Sequence, residues 1–501
     1  RTALDGDDLI LADPHVGDRD ARAEDRQLLL DALLAATDHL VVTYTGRDER
    51  TNTERPPAVP VGELLDVIDR TVRLAGEAAP PARSQVVIQH PLQPFDPRNF
   101  IPGRLLGGTG GDGAADVSGP PWSFDPVALD GARALAPDQK QAPQPFLPGP
   151  LPADRPDPVE VDQVVRFVQH PVKAFLRQRL GVALYQDDDD VADALPVQLD
   201  PLEKWDVGTR LLRARLEGVP PDMCVAAEKA RGTLPPGEIS QPLLDDIGQI
   251  IEELVAAVDD VAGGIPQPGP MEVDVRLPDG RSLIGTVPDV ARLPADPADG
   301  RPNDGLLLRT VNYSKVGAKH RLAAWIRYLA LAATYPDLTV EAVTVGRRRT
   351  DGRARTKVTV ARIPALPGPP DARRQAALEH LGRLVDLYDR GLAEPLPLAC
   401  ETSAAWARAA RTTDKRKSPP AEAAAKAWES TYEERDNEDR DLEHLLVHGG
   451  QKPMADLLTP LPTPDEADPA AGWDPAEPTR FGRYARRLWD GLLDLEDLDD
   501  R

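Results

Sequence analysis

The apolar periodicity of this chain stops between Pro102 and Pro158, and that interruption limits the folds open to it. Gly107-Gly108-Thr109-Gly110-Gly111 lies near its start, and closely spaced prolines from Pro143 to Pro158 end it. Proline removes a backbone donor and glycine raises the entropy of the unfolded chain, so helices and strands do not run through such text. Residues 102–158 therefore read as a linker, with 1–101 on one side and 159–501 on the other. At about 150 residues per domain, 501 residues suggest roughly three domains. The total of 53 prolines and 38 glycines adds many loops. No Gly-Lys-Ser/Thr follows the glycine run, so a flexible loop is expected there, not a phosphate cradle.

Composition then excludes several classes. Lys plus Arg number 59 against 83 Asp plus Glu, a net charge of −24. Duplex DNA is held mainly by Lys and Arg, so a surface this acidic does not wrap it; any nucleic-acid contact must be local. Hydrophobic residues at 41% are enough for a sizeable core, yet no apolar run approaches the ~18 residues of a membrane span. Cys224 and Cys400 are too few for a disulfide scaffold or a four-cysteine metal site, which fits a reducing cytoplasm. The eight histidines read as scattered, and no metal is expected. The start, Arg1-Thr2-Ala3-Leu4-Asp5, carries no signal-peptide pattern and no initiator Met, so a fragment is expected.

Hydrophobic spacing places the elements. Leu28, Leu29, Ala32, Leu33 and Ala36 share one helix face, and β-branched Leu40–Tyr44 reads as a short strand. A second helix spans Val61 to Ile68. Beyond the linker, Val161, Val164, Val165 and Val168, then Phe175, Leu176 and Leu180, mark two helical stretches about His170-Pro171. Residues 240–262 form an amphipathic helix. Met271–Leu277 and Ser282–Val287, joined by Pro278-Asp279-Gly280-Arg281, form a β-hairpin. A strand over Leu306–Tyr313 and an amphipathic helix over His320–Ala333 follow. A hairpin of Thr339–Val345 with Val358–Ile363 comes next, and helices continue after Pro370. The fold class is mixed α/β.

The text from Glu24 to Leu40 resembles the motif VI helix of superfamily 1 helicases. In active members an arginine after a threonine in this helix reaches the γ-phosphate of ATP and stabilises charge in the transition state. Ala35 stands at that position and the chain has no Walker A motif, so a helicase-like fold without ATPase activity is implied. His90-Pro91-Leu92-Gln93-Pro94-Phe95-Asp96-Pro97-Arg98-Asn99-Phe100 by itself reads as a rigid proline-rich loop. Together with Gly17-Asp18-Arg19 and Glu54-Arg55-Pro56 it resembles the RecC family, the gamma subunits of exodeoxyribonuclease V. The resemblance covers nearly the whole chain, including Phe481-Gly482-Arg483 and Arg486-Arg487-Leu488-Trp489, and corresponds to the C-terminal part of that subunit.

RecC-type proteins end in a domain with the PD-(D/E)xK nuclease fold, and this resemblance decides catalysis. Working relatives place two carboxylates and a lysine around Mg²⁺. The matching text is Gly285-Thr286-Val287-Pro288-Asp289 and Val311-Asn312-Tyr313-Ser314, so Pro288, Asn312 and Ser314 occupy the acid, acid and lysine positions. Asp289 and Lys315 each lie one residue late, and ideal strand alternation would turn Asp289 to the opposite face. The site reads as degenerate, with no cofactor. In iron–sulfur-bearing AddB relatives, a Cys-Pro stands where this chain has His170-Pro171. Tyr328 fits loosely an anchoring tyrosine of RecB-like nucleases and reads more simply as an amphipathic-helix residue.

One cationic cluster stands against the acidic background. Residues 347–357 hold six cations within 11 positions, and Arg347, Arg348, Arg349, Arg353 and Arg355 are the candidate DNA-phosphate contacts. A solvated hairpin tip would be equally charged.

The expected architecture is an inactive helicase-like remnant (1–101), the linker (102–158) and an inactive nuclease-like domain (159–501) whose region 371–501 is helical. The resemblance implies a non-catalytic subunit of a helicase–nuclease complex processing double-strand DNA ends for recombinational repair. It also implies RecB-like and RecD-like partners, contact with the duplex end and its separated strands, and no membrane. Two alternatives stay open: a Mg²⁺-dependent nuclease using Asp289 and Lys315 in a shifted register, and a protein-interaction module without DNA.

Overall fold

A computed structural model describes residues 15–17, 21–48, 53–74, 81–105, 120–135, 145–184, 199–262, 268–293, 304–348, 358–412, 418–430 and 437–500. Contacts divide the chain into two units, Arg1–Ala142 and Pro143–Arg501. The tetrad Asp187–Asp190 and most of the basic tip lie outside the described residues.

The first unit contains helices α1 (Ala21–Ala35), α2 (Val59–Thr71), α3 (Arg83–Val86) and α4 (Pro126–Ala134). Polar contacts join them. Arg26 pairs with Glu63 at 2.9 Å, and Arg83 reaches both Asp66 and Asp69. Leu40–Tyr44 is not a strand; residues 39–46 are irregular, and Arg47 and Glu54 form an isolated bridge just beyond. A strand needs a partner for its backbone groups, and the described residues supply none there. The expected apolar face of α1 is largely uncovered: Leu28 is 65% exposed, Ala32 and Ala36 are exposed, and Leu29 and Leu33 are only half-buried. Among the described residues of this unit, the buried side chains are Ala82, Asn99 and Ala132. The His90–Phe100 loop is rigid by construction of its bonds: Asp96 caps the turn Pro97–Asn99, and Asn99 Nδ2 donates to the carbonyls of Gln93 and Pro94.

The second unit is a sheet between two helical layers. It opens with β1 (Val159–Glu160), α5 (Val161–Gln169) and α6 (Pro171–Ala174), the last continuing as a wider turn over Phe175–Arg179. Next come α7 (Pro201–Leu216), α8 (Pro221–Ala230) and α9 (Gln241–Ala262). Strands β2 (Gly269–Arg276), β3 (Ser282–Leu293) and β4 (Gly305–Lys315) precede α10 (Ala318–Thr334), β5 (Thr339–Arg347) and β6 (Val358–Ile363). Helices α11 (Pro370–Ala393), α12 (Cys400–Ala410), α13 (Pro420–Trp428), α14 (Leu442–His448), α15 (Met454–Leu458) and α16 (Arg480–Leu493) follow, and β7 (Asp497–Asp500) comes last.

Both sequence-read hairpins form, as β2–β3 and β5–β6, and β4 pairs with β5 in parallel across the α10 connection. The closing strand β7 pairs with β6. It was expected to be helical, and its text, Asp497-Leu498-Asp499-Asp500, carries no strand signal. The neighbouring ladder imposes the conformation.

Alternation along the strands divides the core. Leu306, Leu308, Val340 and Ala342 join one apolar cluster with α5, α10, α11 and α16. Leu307, Tyr313, Val343, Val345, Val358 and Val360 join another with α7 and α9. The α10 helix is not amphipathic as read: Leu322–Ile326 and Tyr328–Ala333 are all buried, because it lies between the sheet and an outer helical layer. Tyr328 is fully buried, and its hydroxyl donates to the Pro364 carbonyl at 2.8 Å.

Two buried carboxylates fix the last third of the chain. Glu438 caps α12 from a distance, accepting from the backbone N–H groups of Glu401 and Thr402 and from the Thr402 hydroxyl. Burial raises its pKa. Glu496 receives Arg321 of α10, Nε donating at 2.8 and 2.9 Å, and the two side chains are only 2% and 1% exposed. The same guanidinium lies 5.1 Å from the Trp489 ring centroid.

Glu496→Gln therefore leaves a buried guanidinium uncompensated and should cost about 3–5 kcal/mol in denaturant unfolding. An apolar pair at 321 and 496 should recover much of that loss. Acid should also weaken the fold. Burial first, then nearby positive charge (Lys319 and His170, respectively), lowers the pKa values of His320 and His444 to about 4, and burial likewise lowers those of His380 and His448. At His320 and His444 the unfolded chain takes up protons near pH 6.5 while the fold resists until about 4, so stability falls across that window and is unaffected by these two groups above it; His380 and His448 act in the same direction. His320 and His444 should each contribute a loss of about 3 kcal/mol at full titration, read by urea unfolding at stepped pH.

Candidate nucleic-acid interface

The strands that carry Pro288-Asp289 and Asn312–Ser314 both depart from regular pairing at those residues. In β3, the register with β2 shifts between Met271↔Val287 and Gly269↔Val290, so the shift spans Pro288-Asp289. Asp289 has φ +60°, a conformation rarely adopted outside glycine, as in a bulge. Pro288 and Asp289 are both exposed, which corrects the alternation argument: the bulge re-aims Asp289 and strict parity does not apply. In β4, Val311 pairs with Val345 but Lys315 with Arg347, so β4 takes four steps where β5 takes two. The irregular steps are Asn312, Tyr313 and Ser314.

Helix α7 sits over this end of the sheet. The Trp205 indole Nε1 donates to Ser314 Oγ at 2.7 Å. Gly208 allows the close approach, since a Cβ there would stand 2.2 Å from Tyr313 Cε1. Tyr313 is buried, which raises its phenol pKa, and Arg347 lies over its ring at 4.7 Å. The Val316 N–H donates to the Arg347 carbonyl at 3.1 Å. Two features separated by the whole of α10 in the sequence thus meet: the Asn312–Lys315 strand end and the base of the basic hairpin.

Several polar atoms here are buried without a hydrogen-bond partner: Asn312 Nδ2, Thr209 Oγ1, Arg347 Nε, and Arg348 Nε and Nη1. Each such atom costs about 1–3 kcal/mol, so their concentration marks a place suited to an acceptor-rich ligand. Arg349, Arg353 and Arg355 lie outside the described residues. Ala35 is the exposed last residue of α1 and offers no cation.

Sequence reasoning missed a histidine cluster. His170, Asp441 and His444 bring one donor atom each within 4.8 Å of one another. The His444-x-x-x-His448 spacing on α14 was the available signal, and it corrects the reading of the histidines as scattered. His170 Nδ1 accepts from the Lys173 N–H, so in neutral His170 the proton is on Nε2, which lies 3.4 Å from Asp441 and 4.0 Å from Glu443. The His170 and His444 rings are 4.8 Å apart and tilted by 32°. Cys224 and Cys400 are buried free thiols whose pKa values burial raises.

Gly208→Ala should force the Tyr313 ring aside and destabilise the chain by about 1–3 kcal/mol. Ser314→Ala should cost roughly 1 kcal/mol through the lost Trp205 hydrogen bond. Chemical denaturation measures both, and the larger effect should belong to Gly208.

Comparison with known proteins follows from this geometry. The RecC C-terminal domain family matches residues 156–411, about half of the chain, and includes both irregular strands. The chain is 40% identical over 493 residues to RecBCD enzyme subunit RecC of Mycobacterium tuberculosis, covering 98% of this chain and 40% of that protein. Its counterpart in Mycolicibacterium smegmatis is 38% identical over 498 residues, covering 99% and 40%. The Escherichia coli protein is 27% identical over 409 residues, covering 80% and 32%. The chain thus spans about 40% of the length of the mycobacterial relatives it matches. A domain match over the strand-bearing core, and an alignment at 40% identity that covers 98% of the chain, have one meaning: the chain belongs to the RecC family.

Proposed function

We propose that this chain is the C-terminal portion of a non-catalytic, DNA-handling subunit of a RecBCD-type helicase–nuclease. It holds and guides DNA strands at a duplex end while RecB-like and RecD-like partners, in the cytoplasm, supply the motor and nuclease activities. In this reading residues 1–101 are the remnant of a helicase-like domain, 102–158 link it onward, and 159–501 form the nuclease-like body with its helical region 371–501. The name RecBCD enzyme subunit RecC, shared by the relatives, supports the assembly.

One observation carries the scaffold reading. At the sheet end where a nuclease would present acids and a lysine, this chain presents Asn312 and a Ser314 whose hydroxyl is taken by Trp205, beside guanidinium atoms of Arg347 and Arg348 that lack partners. Neutral groups bind Mg²⁺ weakly, whereas guanidinium donors suit phosphate oxygens. Such a site holds a phosphodiester without polarising it for attack.

The test is the salt dependence of DNA-end binding by the reconstituted complex. Replacing Arg347 and Arg348 together by Ala should lower the slope of log K against log salt by up to about 1.8, at about 0.9 per duplex phosphate, equally on all sequences. An unchanged slope with weakened subunit association would assign this end of the sheet to a protein partner. Mg²⁺-dependent cleavage by the chain alone, abolished by Asp289→Asn, would replace the scaffold reading with the shifted-register nuclease.

A further inference from the structure

A second cationic place lies away from that sheet end, between α11 and α16. Here Trp325, His380, Arg383, Gly472, Asp474, Arg483, Arg486, Arg487 and Asp490 surround a cavity of about 70 Å³. Four guanidiniums and two carboxylates line it: Arg486 bonds Asp474 and, at 3.1 Å, Asp490, whose Oδ1 is buried without a hydrogen bond and lies 3.8 Å from Arg411, while Arg383 pairs with Glu379 at 2.5 Å. Arg483 is buried and donates only to the carbonyls of Glu477, Glu466 and Pro475. Cations outnumber carboxylates among the lining residues themselves, and Glu379 and Asp386 just outside pair with Arg383 and Arg487.

Arg487 is the least satisfied member. Its side chain is 6% exposed. Nη1 donates to the Ala471 carbonyl and Nη2 to Asp386, but Nε is buried with no partner. Burial lowers its pKa, Asp386 opposes that effect, and the nearby charges of Arg390 and Arg383 add to it. Trp473 supports the guanidinium from its face at 4.3 Å. An anion in the cavity would meet the free Nε–H and relieve the repulsion among the arginines.

Two glycines keep the space open. A Cβ on Gly472 would stand 3.3 Å from Arg487 Nη1 and 3.6 Å from Arg383 Nε, and one on Gly491 would stand 2.6 Å from His380 Nδ1. A buried water requires about 10–15 Å³ of such volume, so the cavity has room for the four oxygens of one tetrahedral group.

We propose that the cavity between α11 and α16 binds a single phosphate group, free or carried at the end of a DNA strand. The site is independent of the sheet-end contacts at Arg347 and Arg348. It is suited to one compact oxyanion, because a volume of about 70 Å³ holds little more than one tetrahedral group.

Thermal unfolding and calorimetry of the full chain with inorganic phosphate test it. A saturable rise in Tm is expected beyond that given by potassium chloride at equal ionic strength. Arg383→Gln, at the half-exposed rim, should fold normally and weaken phosphate about tenfold, while Arg383→Lys should keep most of the binding. Competition separates the two sources. A short oligonucleotide with a 5′-phosphate, but not its 5′-hydroxyl twin, displaces inorganic phosphate if strand ends are bound; failure of both to displace it identifies free phosphate. A Tm that follows ionic strength alone, or Arg383→Gln binding as tightly as the parent, would overturn the proposal. Neither result alters the salt slope assigned to Arg347 and Arg348, so the two readings fail separately.

Discussion

The buried ion pair between Arg321 and Glu496 is the constraint on which the second unit depends. Arg321 lies in α10, the helix enclosed between the sheet and the outer helices, where an isolated charge would be intolerable. Its carboxylate partner comes from the turn after α16, one residue before β7 begins. One contact therefore fixes α10 under the sheet, α16 against α10, and the final strand beside β6. The large buried side chains of α16, Phe481, Tyr484, Leu488 and Trp489, reach the core only when that turn is in place. Apolar burial supplies most of the stabilisation, at roughly 1.5–3 kcal/mol per large side chain. The ion pair selects which arrangement receives it.

Much of the second unit was legible because its elements obey simple periods. The hairpin around Pro278-Asp279-Gly280-Arg281, the β-branched text of β5 and β6, and the apolar stripe of α9 each have one reasonable reading. What escaped depends on neighbours. Asp497-Leu498-Asp499-Asp500 is a strand only because β6 offers an edge. The alternation rule failed at Asp289 and at Asn312–Ser314, where bulged or irregular pairing removes the two-residue period on which the rule rests. The histidine cluster joins the α5–α6 break to α14, and only folding brings them together.

The first unit shows the opposite limit. Its helices α1 and α2 were legible, but α3 was not, and α4 (Pro126–Ala134) forms inside the stretch 102–158 that the sequence presents as an irregular linker, where Asp125 caps it and Pro126 starts it. Leu28, Ala32 and Ala36 stay exposed, and Leu29 and Leu33 only half-buried, although their pattern announces an apolar face. Periodicity states which face of a helix seeks cover; it cannot state what provides it. The resemblance at the candidate interface has the same character. It located Pro288, Asn312 and Ser314, whereas the Trp205–Ser314 bond and the stacking of Arg347 on Tyr313 required the fold.

The Arg321–Glu496 pair spans 175 residues of sequence, and this separation has a kinetic meaning. Contacts within α10, α11 or the β5–β6 hairpin are local and form early, while distant closures are slow. Until Glu496 arrives, drying the core around α10 would strand a bare guanidinium in an apolar interior, at a cost that opposes collapse. Burying the central helix is therefore favoured only together with its distant carboxylate, and compact arrangements that leave Glu496 out carry that cost. A charge that contributes modestly to final stability thus acts as a checkpoint on the order of assembly.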